Sequence, residues 1–214
     1  MARVKIGNVR HPIDYLKQLF APAGCGWGDG SPSTQFTASN VNKTAVFVSS
    51  GGDMPTSDSV WLCEFYATSY DGSGNYGHMV ATCQGGVAKG CVCIRLKENG
   101  VYSEWEWVNP PMIVDVEYRT NERYMGKPVY ARLVDCNNCP GKGSKTIAHN
   151  VSGVVDRIVS AQGQLQGYRV FPSSVIGGDM KLDMETNPTE IILYSTADYL
   201  AGVPCHVLLK YTKN

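Results

Sequence analysis

Neither sign of charge dominates this sequence: 19 basic residues balance 19 acidic ones, and charged residues make up only 18% of the chain. That balance gives electrostatics no grip on nucleic acid or an anionic membrane as the main partner. No apolar run is long enough to span a bilayer, and the N-terminal MARVKIGNVRHP lacks the apolar core of a secretion signal. A soluble protein made in a cytoplasm is expected, with its eight cysteines reduced rather than paired. Catalytic fingerprints are missing too: there is no Gly-x-Ser-x-Gly, no P-loop and no dinucleotide-binding glycine pattern. No short-period repeat of the solenoid or propeller type is present. Helical periodicity is confined to one segment, residues 11–20, where Pro12 suits a first helical position and Leu16, Leu19 and Phe20 share a face.

What the chain does have is turn and strand chemistry. It carries 23 glycines, 11 prolines and 12 tyrosines, with many Val, Thr and Ser, and 43% hydrophobic residues are enough to build a core. Strands are predicted over residues 44–48, 60–68, 77–83 and 91–96. In the second of these Trp61, Cys63 and Phe65 share a face; in the fourth Val92, Ile94 and Leu96 do, with Cys91 and Cys93 as small fillers on the other side. Asn99-Gly100 is a two-residue hairpin signal, because both positions tolerate positive φ. Further short strands are predicted at 146–148, 155–161, 168–171, around Met180, Leu182 and Met184, at 190–195 and at 205–212, where Val207, Leu209 and Tyr211 align.

The stretch 103–135 organises these pieces. Trp105 and Trp107 alternate with Glu104 and Glu106, and then Asn109-Pro110-Pro111 breaks any ladder, since neither proline has an N–H to donate. Beyond the break Val114, Val116 and Tyr118 alternate with charged residues, and Gly126 and Pro128 mark a turn before a return strand. Two domains are expected: residues 1–109, a small antiparallel sheet with one short helix, and residues 110–214, an antiparallel β-sandwich. The fold class is mainly β.

The same stretch carries a resemblance. WEWVNPPM (105–112), VEYRT (116–120), ERYMGKPVYARLVD (122–135), Ala148-His149 and a final strand ending in KYTK (210–213) together resemble tail-fibre and receptor-binding proteins of bacteriophages and prophages. The upstream half looks like the knob module that precedes such heads in fibres and R-type pyocins. The resemblance covers most of the chain. It implies a non-enzymatic homotrimer in a virion tail or tail-like particle, joined to other tail proteins, whose terminal β-sandwich head contacts saccharide or protein on a bacterial surface. It departs from the family at Cys136-Asn137-Asn138-Cys139, where relatives often carry a Gly/Leu/Pro/Asn turn.

An adhesin needs exposed polar and aromatic groups on a rigid scaffold rather than a catalytic set. The ligand candidates are Tyr168, Tyr194 and Tyr199, which can stack on sugar rings, with Asp198 as an acceptor for sugar hydroxyls; core or trimer contact is the competing reading for the first two. Asp179, Asp183 and Glu185 invite a glycosidase reading, but strand spacing sets Asp183 and Glu185 opposite the Met stripe, where a solvated face belongs. Cys136 and Cys139 lack a second CxxC to complete a zinc set, although Cys205, His149 and His206 could complete one from afar. Pro140-Gly141 opposes the helix a redox motif would want. A structural turn is expected there, and no cofactor or metal. His149 reads as a satisfied polar residue supporting a turn. Two alternatives accompany the receptor-binding reading: a structural trimerising component of tail or baseplate, and a polysaccharide depolymerase fragment.

Overall fold

The computed structural model describes residues 36–69, 72–165, 169–171, 182–196 and 198–214. The helix expected at 11–20, Tyr168, Asp179 and Met180 lie outside them. The chain divides into two compact units, Met1–Asn109 and Pro110–Asn214, and the boundary falls within the Asn109-Pro110-Pro111 run.

In the first unit six strands are described: β1 (Ala45–Ser50), β2 (Val60–Ala67), β3 (Gly77–Cys83), β4 (Val92–Glu98), β5 (Val101–Tyr102) and β6 (Glu106–Trp107). They form an antiparallel sheet in the order β1-β2-β3-β4-β6, with β5 folded back on β4. Trp61, Cys63 and Phe65 point inward from β2 as their alternation predicts, and meet Phe47 and Met79 in the core. Trp61 packs edge-on against Trp107 at 5.9 Å between ring centroids. Asn99 and Gly100 take φ of 50° and 82°, the pair a type I′ hairpin turn requires.

The face of β4 differs from expectation. Its buried side is Cys93, Arg95 and Lys97, while Leu96 stands 62% exposed. The register with β3 decides this: Ala81 opposes Cys93, Met79 opposes Arg95 and Gly77 opposes Lys97, all on the inward side. Arg and Lys can occupy such positions because their stems are apolar. The Arg95 guanidinium lies 4.0 Å from the Tyr102 ring centroid and 4.3 Å from that of Trp105, and donates to the Ala38 carbonyl. Lys97 Nζ donates to the Val41 carbonyl at 3.0 Å, which also accepts from the Tyr102 hydroxyl at 2.9 Å. These two cations thereby hold the 37–41 turn against the sheet. On β6, Glu106 is buried as well as Trp107, although alternation places it toward solvent.

The second unit is a sandwich. β7 (Glu117–Tyr124), β8 (Lys127–Asn138), β10 (Val155–Leu165), β11 (Arg169–Phe171) and β14 (Pro204–Lys213) form one sheet in the order β7-β8-β14-β10-β11. β9 (Gly143–Ala148), β12 (Leu182–Thr186) and β13 (Glu190–Ser195) form the other, with β13 central. Every strand pairing within the two sheets is antiparallel. The core between them joins Val134, Leu165, Phe171 and Val207 from one sheet to Leu182, Ile191 and Leu193 from the other. Val207, Leu209 and Tyr211 are fully buried on one face of β14, as their spacing predicts. Gly163 has a packing reason: a Cβ there would lie 2.0 Å from the Phe171 ring, which covers it from the neighbouring strand.

β7 starts later than the alternation from Val114 suggests. Met112 and Asp115 take φ of 51° and 61°, which no continuous strand allows, and Val114 makes only an isolated parallel bridge to Leu133. The turn that follows β7 is Met125-Gly126, with φ of 49° and 80°, so Pro128 falls inside β8 rather than in the turn. One short 3-10 turn, Asp198–Leu200, precedes β14.

Candidate functional site

Several residues that carry the sequence resemblance hold the second unit together. Glu117, at the start of β7, accepts from the Ser152 hydroxyl at 2.8 Å, from the Tyr211 hydroxyl and from Lys213 Nζ. Burial pushes its carboxyl upward, but the Lys213, Tyr211 and Ser152 hydrogen bonds outweigh that and leave it below the usual range. Tyr130, from the GKPVY piece, stacks on Tyr211 at 6.0 Å and lies 4.2 Å beneath the Lys213 ammonium. Thr120 Oγ1 donates to the Val129 carbonyl at 2.8 Å. His149 is 2% exposed, and its Nδ1 accepts from the Val151 N–H at 3.4 Å. That leaves Nε2 as the donor to the Asn187 carbonyl at 3.3 Å, a neutral tautomer, and burial holds the ring below the usual histidine value.

The outer face of β12-β13-β9 is the candidate. Leu193 and Ile191 point into the core, so Tyr194 and Ile192 point away from it. Tyr194 is directly opposed by Asp183 on β12 and by Ser144 on β9; Ile192 is opposed by Glu185 and Thr146. Asp183, Glu185, Ser144 and Thr146 are all exposed. The Tyr194 hydroxyl donates to Glu185 Oε2 at 3.1 Å, a bond that raises the phenol above its ordinary value. The result is one accessible aromatic ring, 38% exposed, framed by two carboxylates and two hydroxyls on a rigid sheet. Such a face can stack an apolar ring surface while accepting hydroxyl hydrogen bonds at its edge.

The other sequence candidates fare differently. Asp198 is exposed, but its Oδ1 accepts the Lys142 N–H at 2.9 Å and so fixes the lead into β9. The structure joins Tyr194 to Glu185, not to Asp198. Tyr199 belongs to the 3-10 turn Asp198–Leu200, and Tyr168 lies outside the described residues. Ser144 and Thr146 were missed by sequence reasoning, although the period-two pattern of β9 sets them opposite Lys145 and Ile147. Among the described residues no group of three or more His, Cys, Asp or Glu is arranged to hold a metal ion.

No protein-family model matches the chain, and no curated protein matches it. Among solved structures it is similar to an N-truncated R2-type pyocin tail fibre, with 8% identity and a TM-score of 0.27 over 83% of this chain and 94% of that one. A second likeness is to the C-terminal part of the P. aeruginosa R1 pyocin fibre, at 8% identity and a TM-score of 0.28. It covers 81% of this chain but only 64% of that one. At these values the likenesses assign neither fold nor function.

Proposed function

We propose that this chain is a tail-fibre protein of a phage or tail-like particle, and that its second unit contacts a bacterial surface saccharide through the outer face of β12-β13-β9. The observation that carries the reading is the Tyr194 platform: an exposed ring on a central strand, flanked by Asp183, Glu185, Ser144 and Thr146. Its tail-fibre setting rests on the ordered sequence pieces from WEWVNPPM to YTK. A homotrimer fits this role, because two β units of about 100 residues each bury modest cores and gain from closure around an axis.

A glycan array with the purified chain tests the saccharide contact. Tyr194→Ala should weaken the strongest glycan signal about tenfold or more, while Asp198→Ala should leave it nearly unchanged. Equal loss in both variants would move the site away from this face. Light scattering should report three copies; monomer alone would contradict the fibre reading. If the chain binds no bacterial strain in a whole-cell pull-down, the spacer role takes its place, and release of shortened capsular fragments would indicate a depolymerase.

A further inference from the structure

The Cys136-Asn137-Asn138-Cys139 run has no part in the Tyr194 face, yet the fold brings a third cysteine to it. Asn138 pairs with Pro204, and the Cys139 N–H donates to the Val203 carbonyl at 2.8 Å. The next partners along this ladder are Asp135 and His206, so Cys136 and Asn137 together face the single residue Cys205. This is a β-bulge, and Asn137 adopts a positive φ of 54° within it. All three cysteines turn into the core of the sandwich and carry free thiols. Cys205 lies on β14 across from this run and shares one core cluster with both Cys136 and Cys139. Lys145 Nζ closes the rim, donating to the Cys136 carbonyl at 2.8 Å and the Asn138 carbonyl at 2.9 Å.

We infer that Cys139 and Cys205 are a disulfide-forming pair, open in a reducing cytoplasm and closed when the protein meets an oxidising medium outside the cell. The extracellular setting rests on the tail-fibre reading; the pairing does not. Sequence proximity favours Cys136 with Cys139, but these two lie on one segment with Asn137 and Asn138 between them, whereas Cys205 comes from the strand across from it. Cys139 and Cys205 instead sit on neighbouring chain segments locked by the Val203 hydrogen bond. Cys139 is also the more accessible partner, at 4% exposure against 0% for Cys205 and Cys136.

The oxidant is a low-molecular-weight disulfide of the glutathione class. The Cys139 thiolate attacks it, forming a mixed disulfide and expelling one small thiol. The Cys205 thiolate then attacks the Cys139 sulfur and expels the second. Two protein thiols lose two electrons, and their protons leave on the two small thiols. Hydrogen bonding to Cys136 and burial push the Cys205 thiol up to about 12, and Cys139 is raised as well, so the exchange is slow at neutral pH. The bond would tie the end of β8 to the start of β14 across a loop of about 65 residues, the kind of long closure for which cross-linking restricts the unfolded chain most.

The test uses the full chain, purified reduced and then incubated with oxidised glutathione without denaturant. The expected product is lighter by two hydrogens, maps to a Cys139–Cys205 peptide and melts about 10 °C higher, with reductant reversing both changes. Cys139→Ala should abolish the change and Cys136→Ala should keep it, so a folding defect in one variant does not hide the result. Thiols that all remain alkylatable after treatment would overturn the inference. So would a cross-link mapped to Cys136–Cys205, or to Cys83 and Cys91 of the first unit, where the Cys83 N–H donates to the Cys91 carbonyl at 2.9 Å. No bacterium or glycan enters this assay, so its failure leaves the receptor reading standing.

Discussion

In the first unit Arg95 and Lys97 are buried beside Tyr102 and Trp105 and rest on backbone carbonyls, with no ion pair to a carboxylate among the described residues. In the second, Lys213 lies over Tyr130 and is paired to Glu117, the two side chains being 17% and 18% exposed. Both arrangements remove a cation from water beneath aromatic rings. They differ in what the charge contributes. Arg95 keeps its Nε without a hydrogen-bond partner, and burial lowers its pKa and that of Lys97. There the stems and the flat guanidinium do the holding, and the charge is tolerated. In the second unit each ion depends on the other, so removing one strands its partner.

The largest test is to remove one ion of the matched pair. Glu117→Ala should destabilise the second unit by about 3 kcal/mol, because it leaves Lys213 and the Tyr211 hydroxyl without their acceptor. Combining Glu117→Leu with Lys213→Met should recover most of that loss in chemical denaturation followed by circular dichroism. A single-variant loss below about 1 kcal/mol would erase the contrast between the units.

Acid should separate the units next. The carboxyl of Glu117 is depressed below 4.5, so its stabilisation is present above that value and lost as pH falls through the depressed one. His149 is held below 6.5, so its contribution is present above 6.5 and declines as pH drops beneath it. Both push the second unit toward unfolding on acidification. Lys97, lowered from 10.5, carries the cost of its charge at neutral pH and is relieved only as pH rises toward that value. All four tryptophans precede Pro110, so their fluorescence reports the first unit. As pH is lowered from 7 to below 4, the melting seen by circular dichroism should fall by several degrees before the tryptophan signal moves.

The smallest effect is expected at Arg95. Arg95→Met keeps an apolar stem under the rings and deletes an unpaired charge, which offsets the lost hydrogen bond to the Ala38 carbonyl, so the tryptophan-monitored stability should change by less than about 1 kcal/mol in either direction. A loss near that of Glu117→Ala would mean that the hydrogen bond to the Ala38 carbonyl outweighs the cost of the buried charge.

Local chemistry was legible in the sequence; long-range register was not. β3 and β13 span the same residues their patterns predict, and Asn99-Gly100 makes the turn its composition demands. β4 misleads because apolarity alone selects Val92, Ile94 and Leu96, whereas pairing with β3 turns Arg95 and Lys97 inward. For the candidate site, Tyr194 could be picked out as a strand aromatic. Its neighbours Ser144 and Thr146 could not, because the β9–β13 pairing joins segments far apart in the chain. Cys205 was legible only as a distant candidate beside Cys136 and Cys139; the bulge between β8 and β14 is what brings it to them.

The place of β14 has a consequence for how the protein is made. This strand lies between β8 and β10, so neither of those gains its shared ladder until β14 has been synthesised. At about 5–20 residues per second, β8 waits several seconds on the ribosome with an unpaired edge. Such edges recruit other chains. In a cell assembling many copies at once, the interval before β14 emerges is when neighbouring nascent chains are most exposed to mispairing, and a chaperone that shields β8 would matter most then.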